Sequence, residues 1–368
     1  MAKLQSCVIA LAKHMKNLSI LSSRRRYKVL FANSAVQCIG NLRKIGDLHV
    51  LIDASVYNIY KKELKVLTNA RSTYIVETNE KQKTLKGVEN FVLHLLNNNV
   101  KKNHTLIVIG GGIAQDMGAF TASVLFRGIQ WIFLPTTLLS MADSCIGSKS
   151  SINVQKYKNQ IGTFYPPLTI FVCTEFLKTL PKTEVINGFG EIIKHAIIRG
   201  GTEGKHLLKE IEQYRRSASG MKKIIYSSLV IKKRIIEQDE FDTSQRRLLN
   251  YGHTFGHALE GYTKNIIPHG IAVMIGMDIA NYISYSRRLL NEKSYRYLHE
   301  LLFRYIPDIP CPIKSVAEYF SYLHRDKKTF GSALHAVLAK DVGNIQVIPI
   351  QLDEALKKNI QDYVSSWI

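Results

Sequence analysis

Acidic residues, cysteine pairs and long apolar runs are scarce in this 368-residue chain. No Asp or Glu precedes Asp47, and 29 acidic residues against 50 basic ones leave a net charge of +21. The five cysteines are scattered without a Cys-x-x-Cys pair, which predicts reduced thiols and a cytoplasmic enzyme. No run approaches the roughly 18 uncharged apolar residues that a bilayer crossing needs, so the sequence excludes a membrane-spanning protein.

The positive charge alone does not identify a partner. Basic residues occur in doublets and triplets, such as 24–26, and never form the block of five or six like charges that is typical of an interaction tail. A nucleic-acid-binding protein therefore stays as an alternative, but the chain carries no nucleic-acid-binding motif and we expect no such partner. Residues 1–26 are predicted to be a basic leader, for which disorder and organelle targeting are both open.

The apolar pattern divides the chain in two. Between residues 27 and 178, β-branched apolar runs alternate with helical stretches, which predicts a Rossmann-like α/β domain with a parallel sheet. Between residues 179 and 368, helical periodicity dominates, with a hairpin expected near 334–348. The predicted strands are 27–32, 50–53, 73–77, 105–109, 131–134 and 170–173. The predicted helices of the second domain are 184–198, 221–237, 254–262, 271–289 and 294–303.

Three glycines, Gly110 to Gly112, stand between a predicted strand and a helical segment that contains Asp116. Such a turn lets the backbone approach a diphosphate at the N-terminus of the helix. The spacing is not Gly-x-Gly-x-x-Gly, and a structural turn uses the same residues, so a cofactor loop and a plain turn both remain open.

His253 and His257 are four residues apart and share one face of a predicted helix, and His269 offers a third imidazole after a turn. Thr254 stands where a His-Glu-x-x-His metalloprotease has its glutamate, so that reading fails. Glu191 is a further candidate ligand, because it lies on an otherwise apolar helix where an unpaired carboxylate is costly. The alternative is that one histidine is a ligand and the others are hydrogen-bonded core residues.

Lys149, Lys158 and Asn159 lie in a segment predicted to be a polar loop after the strand 131–134. Ammonium and amide groups are suited to recognise a phosphoryl group. A solvated loop without a ligand explains the same composition.

Together these segments resemble the dehydroquinate synthase family of sugar phosphate cyclases, over roughly residues 27–343. The resemblance lies densest in Gly110-Gly-Gly-Ile-Ala-Gln-Asp116, Leu134-Pro-Thr-Thr-Leu138, Phe176-Leu-Lys-Thr-Leu-Pro181, Glu191-Ile-Ile-Lys194 and Leu249-Asn-Tyr-Gly-His-Thr-Phe-Gly-His-Ala-Leu-Glu260. It implies the dehydroquinate synthase-like fold and a phosphate-eliminating carbon–oxygen lyase. Such an enzyme converts 3-deoxy-arabino-heptulosonate 7-phosphate to 3-dehydroquinate with NAD and a divalent metal, zinc or alternatively cobalt.

The resemblance also implies roles for individual residues. The implied metal ligands are Glu191, His253 and His269, so that His257 becomes a contact of the substrate phosphate. The implied NAD-binding residues are Asp53, Glu80, Lys83, Gly111, Gly112, Asp116, Thr136, Thr137, Leu139, Lys158, Phe176 and Thr179. The implied catalytic and substrate-binding residues are Asp143, Lys149, Asn159, Lys194, Lys232, Arg246, Asn250, His257 and Lys328. Lys232 and Arg246 would hold the substrate carboxylate, and Arg127 resembles an arginine that a second subunit contributes, which implies a homodimer.

The alternatives are a sister cyclase of the 2-deoxy-scyllo-inosose or valiolone synthase type and a metal-dependent polyol dehydrogenase. Sister cyclases act on substrates without a carboxylate, and the presence of Arg246, Asn250 and His257 favours the dehydroquinate reading. The sequence departs from the family at Ser148, where the family usually has glycine, and in the stretch after Lys328.

Overall fold

The computed structural model describes residues 17–42, 45–67, 70–155, 157–217, 219–324, 329–330 and 333–367. The chain forms two compact units, divided between Leu180 and Pro181. The sequence predicted the division after residue 178. The difference arises because a 3₁₀ turn, Thr174–Thr179, continues the first unit.

A seven-stranded sheet forms the centre of the first unit, in the order β1-β2-β9-β6-β5-β3-β4. All its strands run parallel except β1, which pairs antiparallel with β2. Its strands are β1 Asn17–Ile20, β2 Tyr27–Phe31, β3 Leu48–Asp53, β4 Ser72–Val76, β5 Thr105–Gly110, β6 Gln130–Pro135 and β9 Thr169–Val172. The unit's helices are α1 Ala35–Leu42, α2 Ala54–Ile59, α3 Lys61–Leu64, α4 Leu85–Asn97 and α5 Gly112–Val124. The predicted parallel α/β domain is confirmed. Strands β5 and β9 are buried on both faces as expected, whereas the edge strand β4 exposes Ile75.

Strand β1 lies inside the segment 1–26, for which the sequence predicted a leader outside the domain. Leu18 and Ile20 are buried, and β1 pairs with β2 from Asn17 opposite Leu30 to Ile20 opposite Tyr27. A four-residue edge strand with two buried apolar residues gives too short a pattern to separate from the basic residues around it. Residues 1–16 lie outside the described residues.

The segment predicted to be a polar loop is instead a β-hairpin, β7 Lys149–Val154 and β8 Tyr157–Phe164. Ile152 is fully buried and packs with Val88 and Phe120, with Ile161 of the opposite strand beside it. The hairpin was missed because polar residues separate the few apolar residues of both strands. Lys158 and Asn159 are therefore on a strand of this hairpin, and Lys149 begins the other.

The second unit is mainly helical, as predicted. Its helices are α6 Lys182–Arg199, α7 Gly201–Ser217, α8 Met221–Gln238, α9 His253–Tyr262, α10 His269–Ser286, α11 Glu292–Phe303, α12 Val316–His324 and α13 Glu354–Ser365. The expected hairpin is strands β11 Ala333–Asp341 and β12 Asn344–Gln351, which a short strand β10 Thr329–Phe330 extends to three strands.

Helices α9 and α10 approach each other at glycines. A Cβ built on Gly276 would lie 2.1 Å from the carbonyl oxygen of Gly252 and 2.5 Å from the backbone nitrogen of Gly256. Gly252 itself has φ +79°, a conformation that favours glycine. The close approach sets the spacing of the two helices that carry His253 and His269.

We expect Gly276→Ala to lower the free energy of unfolding by about 3 kcal/mol, because the added methyl overlaps backbone that cannot move without separating α9 from α10. Urea-induced unfolding measures the change. Gly40→Ala is the control: its Cβ meets nothing within 4 Å, and alanine in α1 should leave stability unchanged or raise it by up to about 1 kcal/mol. Equal stability of the two variants would contradict the packing argument.

A buried carboxylate joins three helices of the second unit. Asp278 on α10 accepts hydrogen bonds from His299 Nδ1 on α11 and from the Tyr363 hydroxyl on α13, each at 2.9 Å. The hydrogen bond to Asp278 raises the pKa of His299 above its usual value. A histidine whose folded-state pKa is raised stabilises the fold below its unfolded pKa of about 6.5 and loses that contribution as the pH rises through the folded pKa.

The stability difference between the wild-type chain and His299→Gln should therefore be largest at pH values below about 6.5 and shrink as the pH rises through the raised pKa of His299. Denaturant unfolding of both proteins at several pH values tests this. A difference that stays constant, or grows with pH, would show that the His299 charge does not contribute.

Candidate functional site

The carboxyl ends of three neighbouring parallel strands bring several predicted cofactor residues to one edge of the sheet. Strand β3 ends at Asp53, β5 at Gly110 and β6 just before Thr136, whose backbone nitrogen donates to the Gly110 carbonyl at 2.9 Å. Ligands of open parallel sheets bind at this edge. The sequence-predicted residues Asp53, Gly111 and Thr136 are thus neighbours in the fold.

The glycine turn has the shape that a diphosphate requires. Gly111 is the N-cap of α5, whose first backbone N–H groups have no side-chain cap. A Cβ on Gly111 would lie 3.0 Å from Thr137 Cγ2, whereas one on Gly112 would meet no protein atom within 4 Å. Open space at the N-terminus of a 13-residue helix fits a phosphate group. At Gly110 the turn needs glycine for packing, because a Cβ there would lie 2.6 Å from Ala114 Cβ.

Asp53 caps a helix, in addition to its predicted role in binding the cofactor. Its Oδ1 accepts from the Val56 backbone nitrogen at 3.0 Å and caps α2, while its Oδ2 accepts from the Thr78 hydroxyl. These bonds hold the carboxylate in one orientation beside Gly110. Whether Asp53 also binds a ribose stays a prediction.

Lys83, Asp116 and Asn159, which the sequence placed in two different subsites, meet in one cluster. Lys83 Nζ lies 2.6 Å from Asp116 Oδ2 and donates to Asn159 Oδ1 at 2.8 Å. Burial raises the pKa of Asp116, and the neighbouring Lys83 opposes that rise. Because Asn159 Oδ1 is occupied, its Nδ2 is left as the group that can donate to an anion.

Ser151 is a member of this cluster that the sequence reasoning missed. Its backbone nitrogen and hydroxyl lie 2.9 and 3.0 Å from the two Asp116 oxygens, and the hydroxyl lies 2.9 Å from Asn159 Oδ1. Only the hairpin register brings Ser151 there, so no signal in the linear sequence identifies it.

Glu80 lies beside the same hairpin and faces two of its residues, Asn153 and Lys158. Glu80 Oε2 accepts from Asn153 Nδ2 at 2.6 Å, and Lys158 Nζ lies 4.0 Å from Glu80 Oε1. Lys149, exposed at the start of β7, lies 5.9 Å from the Phe164 ring centroid. The segment that precedes α4 and the hairpin are thus connected by polar contacts.

The remaining predicted cofactor residues of the first unit lie in two turns. Thr137 Oγ1 lies 2.8 Å from Ser140 Oγ at the turn that also contains the half-buried Leu139. Thr179 Oγ1 lies 3.0 Å from the Tyr60 hydroxyl, and the Phe176 ring packs edge-on against Tyr60. Phe176 as a whole is 2% exposed, and its role in binding a cofactor stays a prediction.

Arg127 lies in an exposed left-handed turn after α5. Phe126 and Arg127 have φ values of +49° and +59°, and Gly128 follows at +109°. Lys102 Nζ donates to the carbonyl oxygens of Phe126, at 2.5 Å, and of Gly128. Such a conformation costs non-glycine residues free energy and persists where surrounding contacts impose it. Asp143, half-buried in the turn Ser140–Ser144, completes the predicted residues of the first unit.

In the second unit, Glu191, His253 and His269 converge. Glu191 is 1% exposed on α6, His253 begins α9 and His269 begins α10. Glu191 Oε1 lies 3.5 Å from His253 Nε2 and 3.4 Å from His269 Nε2. Ligand atoms held at about 2.0–2.2 Å by one tetrahedral ion lie about 3.3–3.6 Å apart, so these three atoms fit a zinc-sized cation.

His257 gives a second three-residue grouping. The ring nitrogens of His253, His257 and His269 also include atoms within 4.8 Å of one another. The rings of His253 and His257 contact edge-on at 5.1 Å, as predicted for histidines one helical turn apart. The geometry therefore offers two overlapping ligand sets, which share His253 and His269.

Lys194, one turn after Glu191, contacts the Glu191 Oε2 atom and is 2% exposed. A buried ammonium needs a counter-charge, which Glu191 supplies. Burial lowers the pKa of His269, but the carboxylates of Glu191 and Glu260 outweigh that effect and raise it to about 10. A proton and a divalent cation thus compete for the same cluster of nitrogens.

Most of the chain matches models of one known protein family. Residues 73–187 match the family model described as 3-dehydroquinate synthase N-terminal, and residues 188–329 match the one described as 3-dehydroquinate synthase C-terminal. The chain belongs to the 3-dehydroquinate synthase family. The resemblance seen in the sequence is confirmed.

Individual members of the 3-dehydroquinate synthase family are similar to this chain over most of its length. The chain is 32% identical over 361 residues to 3-dehydroquinate synthase of Pelagibacter ubique, covering 92% of this chain and 95% of the relative. It is 35% identical over 327 residues to that of Clostridium tetani, covering 86% of each. Family membership makes the chain a phosphate-eliminating enzyme of the lyase type, the class that the sequence predicted.

Among solved structures, 2-deoxy-scyllo-inosose synthase complexed with carbaglucose-6-phosphate, NAD⁺ and Co²⁺ has the same fold, with a TM-score of 0.81. The match covers 94% of this chain and 99% of that chain at 24% identity. It confirms the predicted fold class. None of the described helices combines the length and the apolar character that crossing a membrane requires.

The carboxylate-binding pair predicted for a dehydroquinate synthase is buried. Lys232 on α8 is 6% exposed and Arg246 is 4% exposed in the 3₁₀ turn Gln245–Asn250. Arg246 donates through its guanidinium to the Glu240 carbonyl oxygen. Asn250 ends this turn, directly before the anchored Tyr251, whose hydroxyl bonds Asn281.

Asp239 shapes the Arg246 turn and was missed by the sequence reasoning. Its carboxylate accepts from the backbone nitrogens of Thr243 at 2.9 Å, Ser244 at 2.7 Å and Arg246 at 3.0 Å. Burial raises the pKa of Asp239, but these hydrogen bonds prevail and lower it below its usual value. An Asp followed by Ser and Thr within five residues is the only local signal of such a turn.

Ser148, where dehydroquinate synthases usually have glycine, has φ +63°. Glycine adopts this left-handed conformation more readily than serine does. Its carbonyl oxygen accepts from the Tyr165 backbone nitrogen at 2.7 Å, which fixes the turn that leads into the β7–β8 hairpin. Lys328, the remaining predicted site residue, lies outside the described residues.

Proposed function

We propose that the chain converts 3-deoxy-arabino-heptulosonate 7-phosphate to 3-dehydroquinate and inorganic phosphate, with NAD and one divalent cation, zinc or cobalt. Family membership gives the activity, and the structural relative named above is recorded with NAD⁺ and Co²⁺. The observation that carries the proposal is the convergence of the Glu191 carboxylate with the His253 and His269 imidazoles.

The proposed metal ligands are Glu191 Oε1, His253 Nε2 and His269 Nε2, which leaves a fourth position for substrate oxygens. His257 is proposed to contact the substrate phosphate and to lie outside the ligand set. Its side chain is 43% exposed, in contrast to the 1% of Glu191.

The proposed NAD site is the sheet edge with the glycine turn. The backbone N–H groups at Gly111 and Gly112 would bind the diphosphate, Asp53 the ribose, and the Lys83–Asp116 pair would border the cofactor. When bound, NAD accepts a hydride from the substrate and later returns it, and the cation polarises the adjacent hydroxyl groups.

Two anionic ends of the substrate have proposed partners. Lys149, Asn159, Asn250 and His257 would bind the phosphate, with Lys328 as the proposed fifth residue. Lys232 and Arg246 would bind the carboxylate, and their burial strengthens an ion pair with it. Asp143 and Lys194 are proposed to complete the polar cluster around the substrate hydroxyls.

The overall reaction is balanced without a second substrate. The elimination step breaks the carbon–oxygen bond to phosphate and removes the proton from the neighbouring carbon, for which an oxygen of the leaving phosphate is the proposed base. A bound NAD would serve both as hydride acceptor and as hydride donor, so no second redox substrate would be needed. Ring opening and an internal aldol addition then close the carbocycle.

We propose a homodimer in which Arg127 acts in the partner's site. Its exposure and the left-handed turn that presents it support this role, and Lys102 would keep the turn in place.

The purified chain should release phosphate and form 3-dehydroquinate from the heptulosonate phosphate when zinc and catalytic NAD are present. A sugar phosphate that lacks the carboxylate should give none. Phosphate release only from the carboxylate-free compound would identify a sister cyclase, and net formation of NADH would identify a dehydrogenase.

A further inference from the structure

Glu260, on the last turn of α9, faces two histidines of the proposed metal site. Its Oε2 lies 3.2 Å from His269 Nδ1 and 3.9 Å from His257 Nε2. The Glu260 side chain is 13% exposed, so water screens these contacts weakly. Neither composition nor spacing distinguishes Glu260 from the other carboxylates of the second unit.

The two nitrogens of His269 have different neighbours. Nε2 lies 3.4 Å from Glu191 Oε1, in the proposed ligand cluster, and Nδ1 lies against Glu260. With a cation between Nε2 and Glu191, Nδ1 is the nitrogen that carries the proton of a neutral His269, because the Glu260 carboxylate only accepts hydrogen bonds. The lone pair of Nε2 is then directed at the cation position.

His253 is arranged in the same way. Its Nδ1 lies 3.3 Å from the backbone carbonyl oxygen of Tyr251, another group that only accepts, while its Nε2 faces Glu191 Oε1 at 3.5 Å. Both histidines thus have an acceptor at Nδ1 and the cluster at Nε2. A backbone carbonyl does this for His253 and a carboxylate does it for His269.

We infer that Glu260 is a positioning residue of the metal centre, which holds His269 in the Nδ1-protonated tautomer and turns its Nε2 towards the cation. The inference rests on the proposed ligand set. A carboxylate behind a ligating imidazole also makes that imidazole a stronger donor, and removing such partners lowers metal affinity about 10–100-fold.

The test is the zinc affinity of the full chain, measured by competition with a chelator of known affinity at one pH. Glu260→Gln keeps the side-chain volume and removes the charge, and we expect its zinc affinity to fall by at least about 10-fold. In the cobalt-loaded protein, the visible absorption bands should shift because the ligand field changes with the orientation of His269. Glu292→Gln is the matched control, since Glu292 is exposed and pairs with Arg296; its affinity should equal that of the wild type.

Each outcome has one meaning. If wild-type protein binds zinc and folded Glu260→Gln binds it equally well with an unchanged cobalt spectrum, the inference is overturned while the proposed function stands. If wild-type protein binds no zinc or cobalt, the proposed ligand set and this inference both fall. Circular dichroism and thermal unfolding establish that Glu260→Gln is folded, and Glu260→Asp replaces it if the glutamine variant is not.

Discussion

Glu191→Gln should remove stoichiometric metal and lower kcat/KM by at least about 1,000-fold, while His257→Ala should keep the metal. The two variants separate the overlapping ligand sets, because Glu191 belongs only to the first and His257 only to the second. Losing the cation removes several kcal/mol of transition-state stabilisation, and 1.4 kcal/mol corresponds to a factor of 10. Glutamine keeps the volume beside the buried Lys194.

Metal content per chain by elemental analysis, together with kcat/KM on the heptulosonate phosphate, measures both effects. If the proposed ligand set is right, His257→Ala contains the wild-type amount of metal and loses activity chiefly through a raised KM. Metal retained by Glu191→Gln but lost from His257→Ala would show that the three histidines are the ligands instead.

Arg246→Ala should lower kcat/KM on the carboxylate-bearing substrate by roughly 30- to several-thousand-fold. Truncating one partner of a buried charge pair costs about 2–5 kcal/mol, and Arg246 is 4% exposed. Arg247→Ala is the matched control: the adjacent arginine is exposed and should be replaceable with little change in kcat/KM.

Arg246 also donates to the Glu240 carbonyl oxygen, so Arg246→Ala must be compared with the wild type in thermal unfolding. A folded Arg246→Ala enzyme with unchanged kcat/KM would refute the assignment of Arg246 to the substrate carboxylate. The same result with Arg247→Ala inactive would move the role to the neighbouring residue.

The sequence predicted those elements in which nearly all positions follow one hydrophobic pattern. Apart from Thr105, the strand at 105–109 is apolar, and it is bounded by Gly110, so it was located to within one residue of β5. The grouping of His253 with His257 was predictable because they are one helical turn apart, and Glu191 was a candidate because a lone carboxylate on an apolar helix requires a partner.

The residues that the sequence missed depend on pairings between distant segments. Ser151 reaches Asp116 and Asn159 only through the β7–β8 register, and the few apolar residues of that hairpin are separated by polar ones. Glu260 acts through His269, which begins the next helix. Asp239 binds backbone groups of a turn whose shape the sequence does not determine. Hydrophobic periodicity records none of these contacts.

Some of the basic residues behind the net charge of +21 have identified positions in the structure. Lys83 contacts Asp116, Lys194 contacts Glu191, and Lys232 and Arg246 are buried, so these cations belong to polar clusters of the two units. Such groups fit anionic small molecules rather than a nucleic-acid backbone, which binds to exposed positive surfaces.

In the proposed cyclisation, NAD is used and regenerated within one catalytic cycle. The most direct measurement supplies NAD at a small fraction of the heptulosonate phosphate concentration, with zinc, and follows 3-dehydroquinate, phosphate and NADH together. The account predicts equal amounts of 3-dehydroquinate and phosphate, many times the amount of NAD, with no accumulation of NADH. Product that stops at the amount of NAD supplied, with an equal amount of NADH formed, would contradict it.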